Sequence, residues 1–516
     1  MAQRKALPVT HARRGGRGVL PEPGESAAVP EGTSASGATA FAENALSPTN
    51  TFPSETTPFL NATPFGETAS LADAAPFADT ASLAGTASFT GNVPFADNVP
   101  FADGASFADG ASFADTAPFP GAAPLPGADP LPGNQGGPPN AARLALVAGR
   151  DSRSAALVER LLRASVRILP QARVAGEFAF TLTGTRDPDG LWQLSPSGTS
   201  RRYGAIAALG LMRLPQREQR TVLGGEDGHD LVGRLARRLD GMTNLGDVAL
   251  LCWAAAEAAH GELPHALDRL AELDRRDTPV DVVAAAWVVT ALIATRPLID
   301  VEQHLSAARD RLLAARSEVY PHVAVGATTW YRSHVGSFAD QVYPVQALAR
   351  LHGSADDPRA LAAAESVAAA ICRAQGNAGQ WCWHYDARTG GAVESYPVYS
   401  AHQYAMAPMA LLDLADAGGQ PYLEAICQGL RWLTRPPEIK EDLILDEPPV
   451  TWRKVARADR RMAGRGLRAV STGPCSLIRF PVLDRAFRPS TVGHECRPYE
   501  LGWLLMAWLP AMGGLG

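Results

Sequence analysis

The densest group of side chains that could do chemistry lies between residues 379 and 414. The segment combines aromatic rings with acids, histidines and an amide: Trp381, Trp383, His384, Tyr385, Asp386, Glu394, Tyr396, Tyr399, His402 and Gln403. Aromatic faces suit sugar rings, and two carboxyl groups can cleave a glycosidic bond, one as acid and the other as base or nucleophile. The pattern therefore predicts carbohydrate chemistry, with Asp386 and Glu394 as a candidate carboxylate pair.

Two further catalytic candidates lie near the expected starts of helices. His402 precedes Pro408 by six residues, and proline costs about 3 kcal/mol inside a helix but is tolerated in its first turn. The helix is expected to start or kink at Pro408, which leaves His402 near a helix terminus that faces a cavity. Asp340 precedes another apolar helix, as an N-terminal cap or as a cavity acid. The catalytic candidates are thus Glu394, His402, Asp386 and Asp340.

The candidate substrate-binding residues are Trp383, Tyr385, Tyr396, Tyr399, Gln403, Arg453 and Arg457. Each aromatic ring has packing as its alternative, and Asp386, followed by "ARTGG", could simply start a tight turn. The two arginines belong to a basic segment over 452–468 that contains a single acid. Such a segment is either a solvated face or a contact for a phosphate, a diphosphate or an anionic glycan.

The body of the chain predicts two alternating sets of helices. Amphipathic helices are expected to begin near 155, 230, 262, 301, 358 and 420, with charged residues along one face. Helices that are apolar nearly all round are expected from 201, 244, 279, 338, 399 and 497, as for helices buried on both sides. Six outer and six inner helices in alternation predict an all-α fold, an (α/α)6 toroid. The segment at 379–403 would then connect an outer helix to an inner one, at a mouth of the ring.

Residues 1–140 have a different composition, in which Ala, Pro, Gly, Ser and Thr dominate. Phe or Leu stands at every sixth position from 59 to 131. A hexapeptide period also occurs in parallel β-helices, but the recurrent proline removes ladder donors. The low hydrophobicity cannot offset an ordering cost of about 1–2 kcal/mol per residue. We expect a disordered tail over 1–140 that could recruit a protein partner, followed by a toroid domain over 141–516.

Charge and composition exclude several classes of function. A formal net charge of −6 argues against a generally basic nucleic-acid-binding protein. The six cysteines include no C-x-x-C pair, so no zinc site or disulfide framework is indicated, and no other metal or cofactor is predicted. No run of about 18 apolar residues predicts a membrane span, and no signal-peptide pattern opens the chain. The expected location is the cytoplasm.

Residues 375–381, "QGNAGQW", match the pattern Q-x-x-x-G-x-W, and "DPDGLW" at 187–192 is a degenerate echo of it. The first match resembles the QW repeat of squalene cyclases. The body therefore resembles the α/α-toroid families, which are the terpenoid cyclases, the protein prenyltransferases and the six-hairpin glycosidases. In the cyclases this motif is structural and closes an outer helix through a Gln–Trp contact. The D-x-D-D acid of class II cyclases and a plain Asp/Cys/His zinc set are both absent from the sequence.

Three functions remain open at this stage. The first is a carbohydrate-active hydrolase or lyase, and the second is a terpenoid-cyclase-like or prenyltransferase-like enzyme with an altered acid. The third is a non-catalytic toroid that binds a polymer or a protein. Two carboxylates about 5–10 Å apart at the mouth of the ring would favour glycoside chemistry. A deep aromatic chamber with one buried acid would favour a cyclase, and a filled centre would favour binding alone.

Overall fold

The computed structural model describes residues 139–275, 280–315, 334–457 and 488–510. The predictions made for the hexapeptide array, its disorder and its partner lie outside these residues. So does the part of the basic segment that follows Arg457. Of Glu394 the backbone is described, but the side chain is not.

The described residues are mostly helical, as predicted, and contain fourteen α-helices. In chain order these are α1 (Pro139–Arg150), α2 (Ser152–Ile168), α3 (Arg201–Leu211), α4 (Gln216–Leu223), α5 (Gly228–Ala236), α6 (Leu245–Glu257), α7 (Leu263–Leu273), α8 (Val282–Thr295), α9 (Glu302–Ala314), α10 (Ala339–Ala355), α11 (Pro358–Arg373), α12 (Ala407–Asp416), α13 (Leu423–Thr434) and α14 (Pro498–Trp508). A helix is present at each of the twelve predicted places. Helices α1 and α4 were not predicted as separate elements of the alternation.

The six apolar helices α3, α6, α8, α10, α12 and α14 form a closed inner ring. Each packs against the next in chain order, and α14 packs against α3 to close the circle. Glycines permit this last contact, because a Cβ on Gly502 would stand 2.5 Å from the carbonyl oxygen of Ile206. The outer helices α5, α7, α9 and α11 pack against these inner helices from outside, with their apolar stripes turned inward.

The inner helices run parallel, and this gives the ring two distinct ends. Arg202 and Arg213, at the two ends of α3, pair with Asp247 and Glu257 at the corresponding ends of α6. We call the end where the inner helices begin the N-face and the opposite end the C-face. Each connection from an outer helix to the next inner helix must therefore cross the N-face.

Eleven short strands are described, which an all-α prediction did not include. They are β1 (Arg173–Val174), β2 (Glu177–Phe178), β3 (Thr181–Arg186), β4 (Trp192–Ser197), β5 (Val335–Ser337), β6 (His384–Asp386), β7 (Ala392–Glu394), β8 (Val398–Tyr399), β9 (Lys454–Arg457), β10 (Pro489–Gly493) and β11 (Glu495–Cys496). All lie in connections from an outer to an inner helix. They form small antiparallel sheets ordered β1-β2, β11-β3-β4, β5-β6-β7 and β10-β9-β8. Each pairing stiffens a long connection on the N-face.

Aromatic side chains fill the middle of the ring. The ring of Trp503 on α14 lies 5.7 Å from that of Trp253 on α6, and its indole N–H donates to the Tyr343 hydroxyl on α10 at 2.9 Å. Trp287 on α8 meets Tyr343 edge-on at 5.0 Å, and the guanidinium of Arg350 covers Trp253. Alternate inner helices thus touch across the axis. A ligand of the described residues would therefore bind on one face of the ring rather than in its middle.

A buried ion cluster anchors α1 to the C-face. Arg143 bonds to both Asp413 and Asp416 at the end of α12, and it also donates to the Ala507 carbonyl oxygen on α14 at 3.0 Å. Asp413 also accepts from Arg350 at 2.6 Å, and these two arginines hold the pKa of its carboxyl well below the usual range. None of the described helices is both long and apolar enough to cross a bilayer.

Candidate functional site

Asp340, in the first turn of α10, is a buried acid with two roles. Its carboxylate accepts from the Ser337 backbone N–H at 2.6 Å, while the Ser337 hydroxyl accepts from the Asp340 N–H at 3.2 Å. This reciprocal pair is a capping box, which fixes the start of the helix. Burial and then the nearby charge of Asp281 raise the pKa of Asp340 to about 7. Of the two predicted alternatives, the structure shows the cap, and the role of a cavity acid stays a prediction.

Asp281 stands at the start of the preceding inner helix, where it caps α8 by accepting from the Val283 N–H at 2.8 Å. Its surface is exposed to solvent, yet desolvation by the surrounding protein raises its pKa, against the opposing charge of Arg202. We call the group of Arg202, Asp281, Asp340 and Tyr343, at the N-terminal ends of α3, α8 and α10, the recess.

A second acid, Glu500 in the first turn of α14, lies on the same face. It is fully buried, and burial raises its pKa to about 7 although Arg453 and Arg497 oppose that change. The Arg453 guanidinium donates to its carboxylate at 3.3 Å and stacks on the Tyr399 ring at 4.7 Å. Arg453 was predicted as a substrate-binding residue, and its side chain is held here by an acid and an aromatic face.

His402 is buried at the start of the helix that leads into α12. Its ring stacks on Phe338 at 4.4 Å and lies 5.2 Å from Tyr399. Burial, with the charge of Arg453, lowers the pKa of His402 to about 3, so the imidazole is neutral near pH 7. Its Nδ1 atom is buried without a hydrogen-bond partner, a costly arrangement that calls for a bound molecule or water. A neutral imidazole can exchange hydrogen bonds with a ligand, but it cannot supply a proton from an imidazolium.

The helix that carries His402 starts earlier than Pro408. Residues His402–Met406 form a π-helical turn that continues directly into α12. Because Pro408 has no N–H, the Tyr404 carbonyl loses the donor that an α-helix would supply. The indole N–H of Trp508 donates to this carbonyl at 2.8 Å instead. The proline is thus accommodated by a π turn and a tryptophan, which keeps His402 in the first turn, at the N-face.

Trp383 and Tyr399 form an aromatic wall beside His402. Trp383 is half-buried, stacks on His384 at 4.3 Å and meets Tyr399 edge-on at 5.4 Å. Tyr399 is buried beneath Arg453 and Lys454. Of these rings, Trp383 retains the most accessible surface for a ligand.

Two of the predicted residues are engaged by the protein itself. Asp386 is fully buried, and its carboxylate accepts from the backbone and guanidinium of Arg388, so it holds the turn between β6 and β7. Gln403 is fully buried as well. Its amide accepts from the Trp381 N–H at 3.1 Å and donates to the Tyr399 carbonyl at 3.1 Å. These bonds explain both residues as structural supports of the loop rather than as groups that face a ligand.

The remaining predicted residues lie at the edge of the same region. Tyr385 is fully buried against Phe338, as the packing alternative requires. The hydroxyl of Tyr396 donates to Glu438, and the Arg457 guanidinium lies 5.3 Å above the Tyr396 ring. The backbone of Glu394 pairs with His384, while its carboxylate lies outside what the structure describes.

The QW-like motif has a structural role, although its contacts differ from those expected. The Gln375 amide donates to the Gly379 carbonyl at 2.6 Å and to the Ala425 carbonyl on α13 at 2.9 Å. Trp381 is fully buried against Gly429, where a Cβ would stand 2.5 Å from its ring. The motif therefore ties α11 to α13. In its echo, Asp187 accepts from two backbone N–H groups of the β3–β4 turn.

Sequence reasoning missed Asp281, Arg202 and Arg497. A signal was present, since a polar or charged residue opens each inner helix. The polar residues at the starts of the six inner helices can be recognised as equivalent only when the helices are aligned with one another. Within the described ranges no group of three His, Cys, Asp or Glu side chains could hold a metal ion.

No protein-family model matches the chain, and no curated protein matches it. Among solved structures, the chain is similar to the unsaturated glucuronyl hydrolase from Bacillus sp. GL1, with 14% identity and a TM-score of 0.44 over 69% of this chain and 96% of that one. It is also similar to the unsaturated glucuronyl hydrolase from Streptococcus agalactiae, with 10% identity and a TM-score of 0.46 over 68% and 90%. A possible GH105 member from Klebsiella pneumoniae has 11% identity and a TM-score of 0.42 over 68% and 92%. At these values the likeness assigns neither an activity nor a substrate to this chain.

Proposed function

We propose that this protein is a carbohydrate-active enzyme that cleaves glycosidic bonds by acid and base catalysis on the N-face of an (α/α)6 toroid. The closed inner ring of parallel helices supports the toroid assignment. In this proposal the toroid domain covers about residues 141–516, and residues 1–140 form a separate tail. Hydrolysis is the reaction that the acids of the recess support best.

The observation that carries the proposal is the pair of acids Asp340 and Asp281. They open neighbouring inner helices and are near enough that the charge of one raises the pKa of the other. Two carboxyl groups in different surroundings can divide the roles of acid and base. Buried Asp340, with a pKa of about 7, would protonate the glycosidic oxygen. Exposed Asp281 would take a proton from the water that attacks the anomeric carbon. In the proposal this pair takes the place of Asp386, while Glu394, whose side chain lies outside what the structure describes, stays a prediction.

The surrounding side chains fit the binding of a sugar. Trp383 is half-buried beside His384, and the unpartnered Nδ1 of His402 can exchange a hydrogen bond with a hydroxyl group. In the proposal these two residues, with Tyr399 and Arg453, bind substrate rather than move protons. His402 is thereby reassigned from a catalytic to a binding role.

The acids of the N-face do not suit a terpenoid cyclase. Protonation of an alkene needs an unusually strong acid, whereas the pKa values of Asp340 and Glu500 are raised to about 7. The strongest carboxylic acid described, Asp413, is already ionised between two arginines on the other face. It therefore has no proton to give.

A glycan-binding protein without catalysis is the second candidate. The filled middle of the ring favours it, because Trp253, Tyr343 and Trp503 restrict the recess to the N-face. A site confined to one face suits recognition of a chain end as well as its cleavage. Product formation separates the two candidates, since binding alone releases no new reducing end.

The test is to incubate the full chain with a panel of purified polysaccharides and measure new reducing ends. Asp340→Asn and Asp281→Asn should each lower the rate about 10²- to 10⁴-fold, the usual contribution of a general acid or base. Asp187→Asn is the matched control, since it removes an exposed carboxylate from the β3–β4 turn. An activity that survives both recess substitutions would refute the assignment, and binding without products would favour the second candidate.

The pH dependence gives an independent check. Asp340 must be protonated to act as an acid, so kcat/KM should fall as pH rises through about 7. Asp281 must be ionised, and its raised pKa should place the acidic limb above the range of an ordinary aspartate. A profile that stays flat from pH 6 to 9 would contradict the role of Asp340.

A further inference from the structure

Phe338, the residue directly before α10, is fully buried and belongs to the start of the helix that carries Asp340. Its carbonyl oxygen accepts from the Gln341 and Val342 N–H groups, each at 3.1 Å. It also follows Ser337, which forms the capping box with Asp340. The backbone of Phe338 is therefore fixed relative to the proposed catalytic acid.

The backbone N–H of Phe338 holds the loop that carries Trp383. It donates to the Trp383 carbonyl oxygen at 2.7 Å, and the neighbouring residues Ser337 and His384 are paired in the β5–β6 ladder. Because every residue except proline keeps a backbone N–H, this bond does not depend on the Phe338 side chain. A substitution at this position therefore tests the ring separately from the loop.

The ring of Phe338 lies against the imidazole of His402. The two ring centres are 4.4 Å apart and the planes differ by 29°, whereas the Tyr399 ring is tilted by 50° at 5.2 Å. Rotation of a histidine ring about its last side-chain bond has only a broad preference, so the packing against its faces sets its plane. The unpartnered Nδ1 exchanges hydrogen bonds within that plane. The Phe338 ring thus determines the direction from which Nδ1 meets a ligand.

We propose that Phe338 is a positioning residue, whose ring fixes the imidazole plane of His402 relative to Asp340 at the start of α10. The inference rests on the proposed function and adds to it a buried residue that touches no substrate. The backbone of Phe338 holds Trp383, and its ring holds His402, so the two binding groups keep a constant placement beside the acid. No proton or covalent bond is transferred at Phe338.

The first test separates binding from chemistry in the full chain, with a polysaccharide that the wild type cleaves in the reducing-end assay. Phe338→Leu removes the flat ring but leaves an apolar side chain and the backbone bond in place. It should raise KM about 3- to 10-fold, as for the loss of one hydrogen bond. The kcat should stay within about 2-fold, because a contact made equally in the ground state and the transition state affects KM alone.

Two further variants distinguish positioning from a general effect of core packing. Phe338→Tyr keeps the ring and should restore a KM close to that of the wild type. Phe178→Leu is the matched control, since it makes the same change at another buried phenylalanine, on β2. It should lower the thermal stability without raising KM. Thermal unfolding of every variant verifies that the protein is folded.

A second test needs no substrate. In the full chain labelled with ¹³C at histidine Cε1, the His402 signal is identified by its absence from the spectrum of His402→Gln. The wild type and Phe338→Tyr should each give one narrow His402 signal, because the imidazole is held in one plane. In Phe338→Leu the signal should broaden or split, while the signal of His265, which is paired with Asp240, should keep its width.

The outcomes separate the two proposals. An unchanged KM in Phe338→Leu, or an equal rise in Phe178→Leu, overturns the role of Phe338, while glycan cleavage would still stand. A single narrow His402 signal in Phe338→Leu also overturns it. If the wild type cleaves no polysaccharide, both proposals fall.

Discussion

Each face of the helical ring has a buried aspartate, and the pKa values of the two aspartates are shifted in opposite directions. On the C-face, Asp413 is buried between Arg143 and Arg350, and its pKa is held low. On the N-face, Asp340 is equally buried, and burial together with the like charge of Asp281 raises its pKa to about 7. Burial alone therefore does not decide what a carboxylate does.

The two aspartates differ in the groups that replace the water lost on burial. An ionised carboxylate taken out of water must be paired and hydrogen-bonded, or its pKa rises until it becomes neutral. Asp413 has two guanidinium partners and stays charged, which serves stability. Asp340 has a backbone donor and a like charge nearby, which leaves a proton that can be transferred near neutral pH. In the proposed function, the structural carboxylate and the catalytic one are thus distinguished by their partners.

The largest change in the free energy of unfolding is expected from breaking the ion cluster of Arg143, Asp413 and Arg350 on the C-face. Arg143→Ala removes one partner of a buried charge and should lower the free energy of unfolding by about 3–5 kcal/mol. Denaturant unfolding of the full chain measures this change. Because Arg143 lies on the face opposite to the recess, any glycan-cleaving activity at a temperature where the variant is folded should be unchanged. A loss below 1 kcal/mol would show that the cluster contributes little.

On the N-face, the substitution of a buried aspartate is expected to raise the free energy of unfolding rather than lower it. The pKa of Asp340 is about 7 in the folded chain, against an ordinary value of 3.8. The unfolded chain binds fewer protons between these values, so this group lowers stability as pH rises from about 4 to 7. Asp340→Asn removes that loss and should be more stable than wild type at pH 8, by at most about 4 kcal/mol, while activity is lost. Near pH 4 the two proteins should be similar.

Urea unfolding at pH 4 and pH 8 measures this dependence. Asp386→Asn is the matched control, because it changes another fully buried aspartate whose carboxylate accepts from Arg388. The control should lose stability at pH 8 rather than gain it. An Asp340→Asn difference that is constant between the two pH values would refute the raised pKa.

The sequence was sufficient to predict the helices but not the residues that meet at the candidate site. The inner helices are recognisable because residues such as Val288 and Leu292 make α8 apolar on every side, and only burial between two layers explains that pattern. The function of a single polar residue depends instead on partners distant in sequence. Asp340 and Asp281 are 59 positions apart, and nothing local in either segment indicates that they meet.

The dense segment at 379–403 illustrates the same limit. The segment lies on the N-face of the ring, and His402 and Trp383 remain candidate binding residues there. Gln403 and Asp386, however, bond to Trp381 and Arg388 within or near their own loop. Residue types that suit catalysis also suit the support of a long connection, and the sequence alone does not distinguish these uses.

The smallest change in the free energy of unfolding is expected from breaking an ion pair that is not buried. Arg150, on the same helix as Arg143, pairs with Glu424 at 2.7 Å, but both side chains are about half exposed. Water and salt screen such a pair, so Arg150→Ala should change the free energy of unfolding by less than about 0.5 kcal/mol. Denaturant unfolding in parallel with Arg143→Ala measures the two on one scale. If both cost the same, α1 is held by its apolar face rather than by its ions, and the proposed contrast between the two faces loses its physical basis.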